Sequence, residues 1–181
     1  MTPQSDRLER ALDEIDRINA QDPTSAGEDG SAPPGGVAYG RRMSDWVARL
    51  RPDASEALRI AARAQHIRRW DIPRESYPAG RDGYLSWRAH LKRHHAKVAA
   101  ALLESLDYDT PTIKRVQDLL RKRGIKTDPE TQTLEDAACL VFLENGLAEF
   151  AGTHDADKVI AILRKVWRKM SPEGHAAALS L

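Results

Sequence analysis

Residues 94–122, HHAKVAAALLESLDYDTPTIKRVQDLLRK, predict two helices joined by a short turn. Apolar side chains recur three and four positions apart in both halves, which is the spacing of one helix face. Pro111 stands in the first turn of the second half, where a missing backbone N–H costs nothing. We therefore expect one helix over about 84–106 and another over 110–123.

The rest of the chain shows the same helical spacing of apolar residues. Asp53 and Glu56 are spaced as a capping box at the start of one helix. The expected helices are 5–20, 41–50, 52–67, 133–150, 155–170 and a short Ser-capped segment in 171–181. Because no stretch alternates as a strand does, the sequence predicts an all-α, single-domain helical bundle.

The domain organisation follows from one break in composition. Residues 1–21 predict an N-terminal helix, and residues 22–37 predict a flexible loop rich in Pro and Gly. Residues 38–181 then form the helical domain, and we expect the N-terminal helix to pack on it.

Charge and cysteine content restrict the function further. The 181 residues include 28 Lys+Arg and 27 Asp+Glu, so the net charge is +1 and carries no strong nucleic-acid signal. Cys139 is the one cysteine, which excludes a disulfide within the chain and predicts a buried, inert thiol. With no signal peptide and no long apolar stretch, we expect a cytoplasmic protein without a membrane partner.

Three ionisable residues lie on apolar helix faces. His95 precedes Val98, Ala99 and Leu102 at helical spacing, and Asp136 has the same relation to Cys139, Leu140 and Leu143. His66 ends the alanine-rich segment AARAQHI. Two imidazoles and a carboxylate are a ligand set that zinc, iron or manganese accepts. The same residues also fit a hydrogen-bonded His–Asp pair and an unrelated histidine.

Several segments resemble known families. EALRIAARAQHI (56–67), TLEDAACLVFLE (133–144) and residues 94–122 are similar to helices of HD-domain phosphohydrolases. More closely, nearly the whole chain from Ser5 resembles a family described as a domain of unknown function, DUF4202. That resemblance is carried by YGRRMSDW (39–46), AQHIRRWDIPRESYP (64–78), GYLSWR (83–88) and QTLEDAACLVFLE (132–144).

The HD resemblance implies a metal site. It assigns His66, His95 and Asp136 as ligands of one divalent transition metal, Mn, Fe or Zn, which lowers the pKa of a bound water and holds the phosphate. The chain departs from the HD pattern where the doublet aspartate is replaced by Ile67. The early histidine is replaced by Tyr39, Arg41 or Arg42, and a later one by Lys122 or Arg123.

Cations near these positions offer a second way to hold phosphate. Guanidinium groups bind phosphate oxygens in a bidentate fork, whereas the alternative is a surface cation at a helix end. The predicted substrate contacts are Arg41, Arg42, Arg68, Arg69, Arg88 and Lys122. Tyr84 and Trp87 share a helix face with Arg88; for Trp87 we favour a core position over stacking against a nucleobase.

Three functions follow as hypotheses. The first is an HD-like phosphohydrolase acting on a small phosphorylated or nucleotide substrate. The second is a non-catalytic helical module that binds phosphate or a nucleotide. The third is a structural protein in which Asp136 pairs with an inward Arg or His.

Overall fold

The computed structural model describes residues 3–23 and 35–181, and within them the fold is all-α, as predicted. No strand occurs in these two ranges, and none of their helices is long and apolar enough to cross a lipid bilayer. The helices are α1 (Pro3–Asn19), α2 (Gly35–Leu50), α3 (Glu56–Arg63), α4 (Gly80–Ser105), α5 (Thr110–Leu120), α6 (Pro129–Asn145), α7 (Leu147–Thr153), α8 (Ala156–Trp167) and α9 (Pro172–Ala178).

The short helix α3 lies at the centre of the bundle. It contacts α1, α2, α5 and α6, and the side chains of Leu58, Ile60, Ala61 and Ala62 are fully buried. Helix α4 packs along α5, and α2 packs along α6. The small alanine side chains of α3 let these neighbouring helices pack closely against it.

The predicted pair of helices around residues 94–122 is present as α4 and α5. Asp109 caps α5 by accepting a hydrogen bond from the Thr112 backbone N–H at 2.9 Å, and Pro111 lies in the first turn. Helix α4 begins at Gly80, four residues before the predicted start. Two short 3-10 turns, Arg69–Asp71 and Arg74–Ser76, connect α3 to α4.

Three other predicted boundaries were wrong. Helix α3 is capped by Ser55, which accepts from the Leu58 N–H, and not by the Asp53 capping box. It ends at Arg63 instead of continuing to residue 67. The predicted helix over 133–150 is divided at Gly146 into α6 and α7.

The N-terminal helix packs on the same core. Ala11 and Ile15 of α1 are fully buried, and α1 contacts α2 and α3. The predicted loop over 22–37 is shorter than expected, since α2 begins at Gly35 and Val37 is buried against the bundle. The remainder of that predicted loop, 24–34, lies outside the described residues.

Gly40 sets how closely α2 approaches the end of α3. A Cβ atom at this position would lie 2.7 Å from the Arg63 backbone oxygen, which is shorter than a nonbonded carbon–oxygen contact allows. Only glycine allows the two backbones to pack at this distance. The contact holds the adjacent residue, Tyr39, against the residues that follow α3.

Candidate functional site

His66 packs face to face against Tyr39. Their ring centroids are 3.7 Å apart and their planes differ by 9°. His66 lies in the turns after α3, and Tyr39 is held there by the close packing at Gly40. Burial raises the pKa of Tyr39 to about 12, so its hydroxyl stays protonated at neutral pH.

His95 lies near His66, with ring centroids 6.3 Å apart and planes tilted by 39°. Its Nδ1 donates to the Ile67 backbone oxygen at 2.8 Å, which leaves Nε2 unprotonated in the neutral ring. Burial lowers the pKa of His95 to about 4, and nearby Arg69 and Arg88 add to that lowering. The pKa of His66 is also well below its usual value, through burial first and Arg69 second. Both rings are neutral at pH 7.

His66 lines a cavity of about 390 Å³. His66 and Tyr39 line it directly, and a narrower extension reaches His95 and Gln65. The charged side chains that line the main cavity are Arg42, Arg69, Arg88, Lys122, Glu135 and Lys169. Five are cations, so the cavity is strongly positive although the whole chain is nearly neutral.

Arg69 is oriented by an aromatic ring and not by a carboxylate. Its guanidinium carbon lies 4.6 Å from the centroid of Trp87, whose Nε1 donates to the Ile72 backbone oxygen at 2.9 Å. Burial lowers the pKa of Arg69, and the charge of Arg88 lowers it further. Among the described residues, no carboxylate pairs with Arg69 or with Arg88. Their N–H donors therefore remain available to a ligand.

Glu135 is the one carboxylate among the described residues that line the cavity. It is buried and forms ion pairs with Lys122 and with Lys169, the latter at 3.4 Å. Burial raises the pKa of Glu135, but attraction to Lys122 and then Lys169 outweighs it and lowers the pKa to about 2. Two lysines thus share one negative charge.

Lys122 reaches Glu135 from a strained backbone position. Its φ is +56°, in the left-handed region that glycine usually occupies after a helix. Arg68, next to Arg69, has φ of +48°. Such conformations cost about 1 kcal/mol or more each and cluster at functional sites. Lys122 itself lines the cavity, and Arg68 immediately precedes Arg69, which also lines it.

Gln65 adds an unsatisfied donor to the cavity wall. The residue is buried, with 9% of its surface exposed, and it lines the narrow extension beside His66 and His95. The amide nitrogen Nε2 has no hydrogen-bond partner within residues 3–23 and 35–181. A buried N–H without an acceptor costs about 1–3 kcal/mol, which a bound acceptor would recover.

Asp136, the third predicted metal ligand, makes its hydrogen bonds away from the two histidines. One carboxylate oxygen accepts from the Ser171 backbone N–H at 2.9 Å and from Gln132 at 3.0 Å. The other accepts from the Ser171 hydroxyl at 2.6 Å. Asp136 therefore holds the start of α9, which also excludes the predicted His–Asp pair and pairing with an inward Arg.

Two predicted substrate contacts also lie elsewhere. Arg41 pairs with Asp16 at 3.1 Å, and Arg68 pairs with Asp71 at 3.0 Å. Both arginines are exposed and neither lines the cavity. They match the alternative interpretation of cations on the surface. The other four predicted cations, Arg42, Arg69, Arg88 and Lys122, do line the cavity.

The residues present do not fit the predicted metal centre. No group of three or more His, Cys, Asp or Glu side chains in 3–23 and 35–181 is placed to hold a metal ion. His66 and His95 are together, but Asp136 faces α9, and Glu135 is already paired with two lysines. Arg69 and Arg88 beside the imidazoles would repel a cation.

Sequence reasoning missed Gln65, Glu135 and Lys169. Glu135 and Asp136 are neighbours in a run of consecutive buried residues of α6, so spacing did not distinguish which of them faces the cavity. The core position favoured for Trp87 is confirmed, as is the burial of Cys139, whose pKa burial raises to about 12.

Comparisons with known proteins give one match. A family model described as a domain of unknown function, DUF4202, matches residues 9–181. No curated protein and no solved structure matches the chain.

Proposed function

Since the chain belongs to the DUF4202 family, whose description names no activity, we propose from the geometry that it binds a small phosphorylated molecule in the cationic cavity. The observation that carries the proposal is the placement of Arg69 and Arg88. They line the cavity together without a carboxylate partner among the described residues. A phosphate is the ligand whose charge and geometry match guanidinium donors most closely.

Charge balance supports an anion in this cavity. Like charges held close together in a partly buried space repel each other, and an anion between them removes that cost. The pKa of Arg69, which burial lowers and Arg88 lowers further, reflects this repulsion. Glu135 does not relieve it, because its charge is already shared between Lys122 and Lys169.

The arrangement of the donors favours phosphate over a carboxylate. Arg69 approaches from the turns after α3, Arg88 from α4 and Lys122 from the end of α5. Gln65, in the same turns as Arg69, offers a further N–H from the narrow extension. Donors that converge from several directions suit a tetrahedral group with three or four oxygens, whereas a flat carboxylate presents two.

The electrostatic environment of His95 and Glu135 favours phosphate binding over the predicted phosphate hydrolysis. A general base works well when its pKa is near the operating pH, and the pKa of His95 is about 4. The one cavity carboxylate among the described residues, Glu135, is paired with lysines. We therefore propose the phosphate-binding module and not the phosphohydrolase, and we expect no release of phosphate from a generic phosphomonoester above background.

A thermal shift experiment tests this proposal. We expect sodium phosphate to raise the melting temperature of the protein more than sodium chloride at the same ionic strength, because a ligand that binds the folded state stabilises it. Arg88→Gln removes one uncompensated guanidinium and is expected to abolish most of the phosphate-specific shift.

Arg93→Gln is the matched control. Arg93 lies on the same helix as Arg88 but is exposed, so its loss changes the net charge equally without altering the cavity. We expect it to keep the full shift. An equal phosphate shift in Arg88→Gln and the unchanged protein, or no phosphate-specific shift in the unchanged protein, would overturn the proposal.

A further inference from the structure

A second cavity, of about 370 Å³, adjoins the proposed phosphate site; we call it the outer cavity and the phosphate site the inner cavity. It is open to solvent past Tyr84 and Leu85, which are both exposed. Its cationic side chains are Arg88, Lys92, Lys122, Lys126, Arg168 and Lys169. Glu135 is the one carboxylate among the described residues that line it.

The inner and outer cavities share a charged wall. Arg88, Lys122, Glu135 and Lys169 line both of them. Arg88 carries five N–H donors and has no ion-pair partner in the described parts of the chain, so it has donors for both sides. Arg69 lines the inner cavity but not the outer one, so a ligand that spans the shared wall contacts both Arg69 and Arg88.

The outer cavity holds more positive charge than its one carboxylate can offset. Lys126 and Arg168 form no ion pair with any described residue, and Lys92 forms none either. Burial lowers the pKa of Lys92, and repulsion from Lys122 lowers it further. The excess charge is therefore on both sides of the shared wall and is not confined to the inner cavity.

We propose that the outer cavity binds a second phosphate group of the same ligand, so that the ligand is a diphosphate or a small molecule with two neighbouring phosphates. The inference rests on the proposed function, because the first phosphate occupies the inner cavity. Arg69 contacts the inner phosphate, Lys126 and Arg168 contact the outer one, and Arg88 lies between them. A single phosphate leaves the outer cations uncompensated.

Calorimetric titration with orthophosphate and pyrophosphate, at constant ionic strength without divalent metal, tests the second site. We expect pyrophosphate to bind with a Kd at least about tenfold lower than orthophosphate. The double variant Lys126→Gln/Arg168→Gln is expected to weaken pyrophosphate to within about threefold of orthophosphate and to leave orthophosphate unchanged. Arg69→Gln is expected to weaken both.

The double variant Arg93→Gln/Lys97→Gln removes the same charge from an exposed face of α4 and is the control. We expect it to keep the preference for pyrophosphate. Equal affinity for the two anions, or an equal loss in the control, overturns the second site and leaves the proposed function standing. Absence of binding by either anion overturns the proposed function itself.

A competition titration separates a small ligand from a nucleic-acid backbone. A single-stranded oligonucleotide is expected to displace pyrophosphate no better than orthophosphate does, since the two cavities are lined for two phosphates. Displacement of pyrophosphate by the oligonucleotide at a lower concentration than orthophosphate requires would overturn the small-molecule class.

Discussion

The imidazole of His66 stacks on the phenol of Tyr39, with ring centroids 3.7 Å apart and planes 9° apart. This contact joins α2 to the turns after α3 at the edge of the cationic cavity. It exists because Gly40, beside Tyr39, lets α2 approach the Arg63 backbone. The packing of a central helix and the shape of the candidate site thus depend on the same residue.

Gly40→Ala is expected to destabilise the protein by about 1–3 kcal/mol, because its Cβ would lie 2.7 Å from the Arg63 oxygen and force the helices apart. Gly152→Ala is the matched control, since nothing lies within 4 Å of a Cβ at that helical position. We expect it to be neutral or stabilising by up to about 1 kcal/mol. Chemical denaturation measures both; equal effects would contradict the packing argument.

Asp136→Ala is expected to lower stability by about 1–3 kcal/mol without weakening phosphate binding. The carboxylate accepts hydrogen bonds from Ser171 and Gln132, so its loss releases α9 and leaves the cavity intact. Denaturation and phosphate titration measure the two properties. Asp45→Ala, at an exposed position of α2, is the control for stability. Loss of phosphate affinity in Asp136→Ala would place this residue at the site after all.

Acid is expected to destabilise the folded protein between about pH 6.5 and 4. The pKa of His95 falls from 6.5 to about 4 on folding, and that of His66 falls well below 6.5. The unfolded chain then binds more protons in this window, so the free energy of unfolding decreases as pH falls. Each imidazole contributes a slope of about 1 kcal/mol per pH unit.

His95→Asn tests that origin, because the Asn amide can still donate to the Ile67 oxygen but does not titrate. We expect denaturation curves from pH 7 to 4 to show a shallower loss of stability for this variant. His90→Asn changes an exposed histidine and is expected to keep the original slope. Identical slopes for the two variants would show that His95 is not the titrating group.

The helices were more predictable than the site, because the spacing of apolar residues indicates which face of a helix is buried, and most of these helices bury one apolar face. Spacing indicated that His95 and Asp136 face inward, and both are buried. Spacing did not indicate whether each buried side chain faces another helix or the cavity. Asp136 hydrogen-bonds to Ser171 at the start of α9, whereas its neighbour Glu135 lines the cavity. In the same way, Arg41 forms an ion pair with Asp16, whereas Arg42 lines the cavity. A step of one residue on a helix changes direction by about 100°, and only the packing of other helices decides the outcome.

Protein purified without chelator is expected to contain no stoichiometric manganese, iron or zinc, and these ions alone are expected not to raise its melting temperature. The predicted ligands are not assembled in the described residues, and Arg69 and Arg88 oppose a cation there. Elemental analysis and thermal shift measure this. A stoichiometric metal that is lost in both His66→Ala and His95→Ala but kept in His90→Ala would restore two of the predicted ligands.

Glu135→Gln is expected to have opposite effects with and without phosphate. Without ligand, it leaves the buried Lys122 beside Lys169 with no counter-charge, which costs about 3–5 kcal/mol. With phosphate, the added anion replaces the lost carboxylate, so the phosphate-induced rise in melting temperature should exceed that of the unchanged protein. Glu104→Gln, at an exposed position of α4, should show the ordinary rise. A rise in Glu135→Gln no greater than in the unchanged protein would mean that the anion does not reach the lysines.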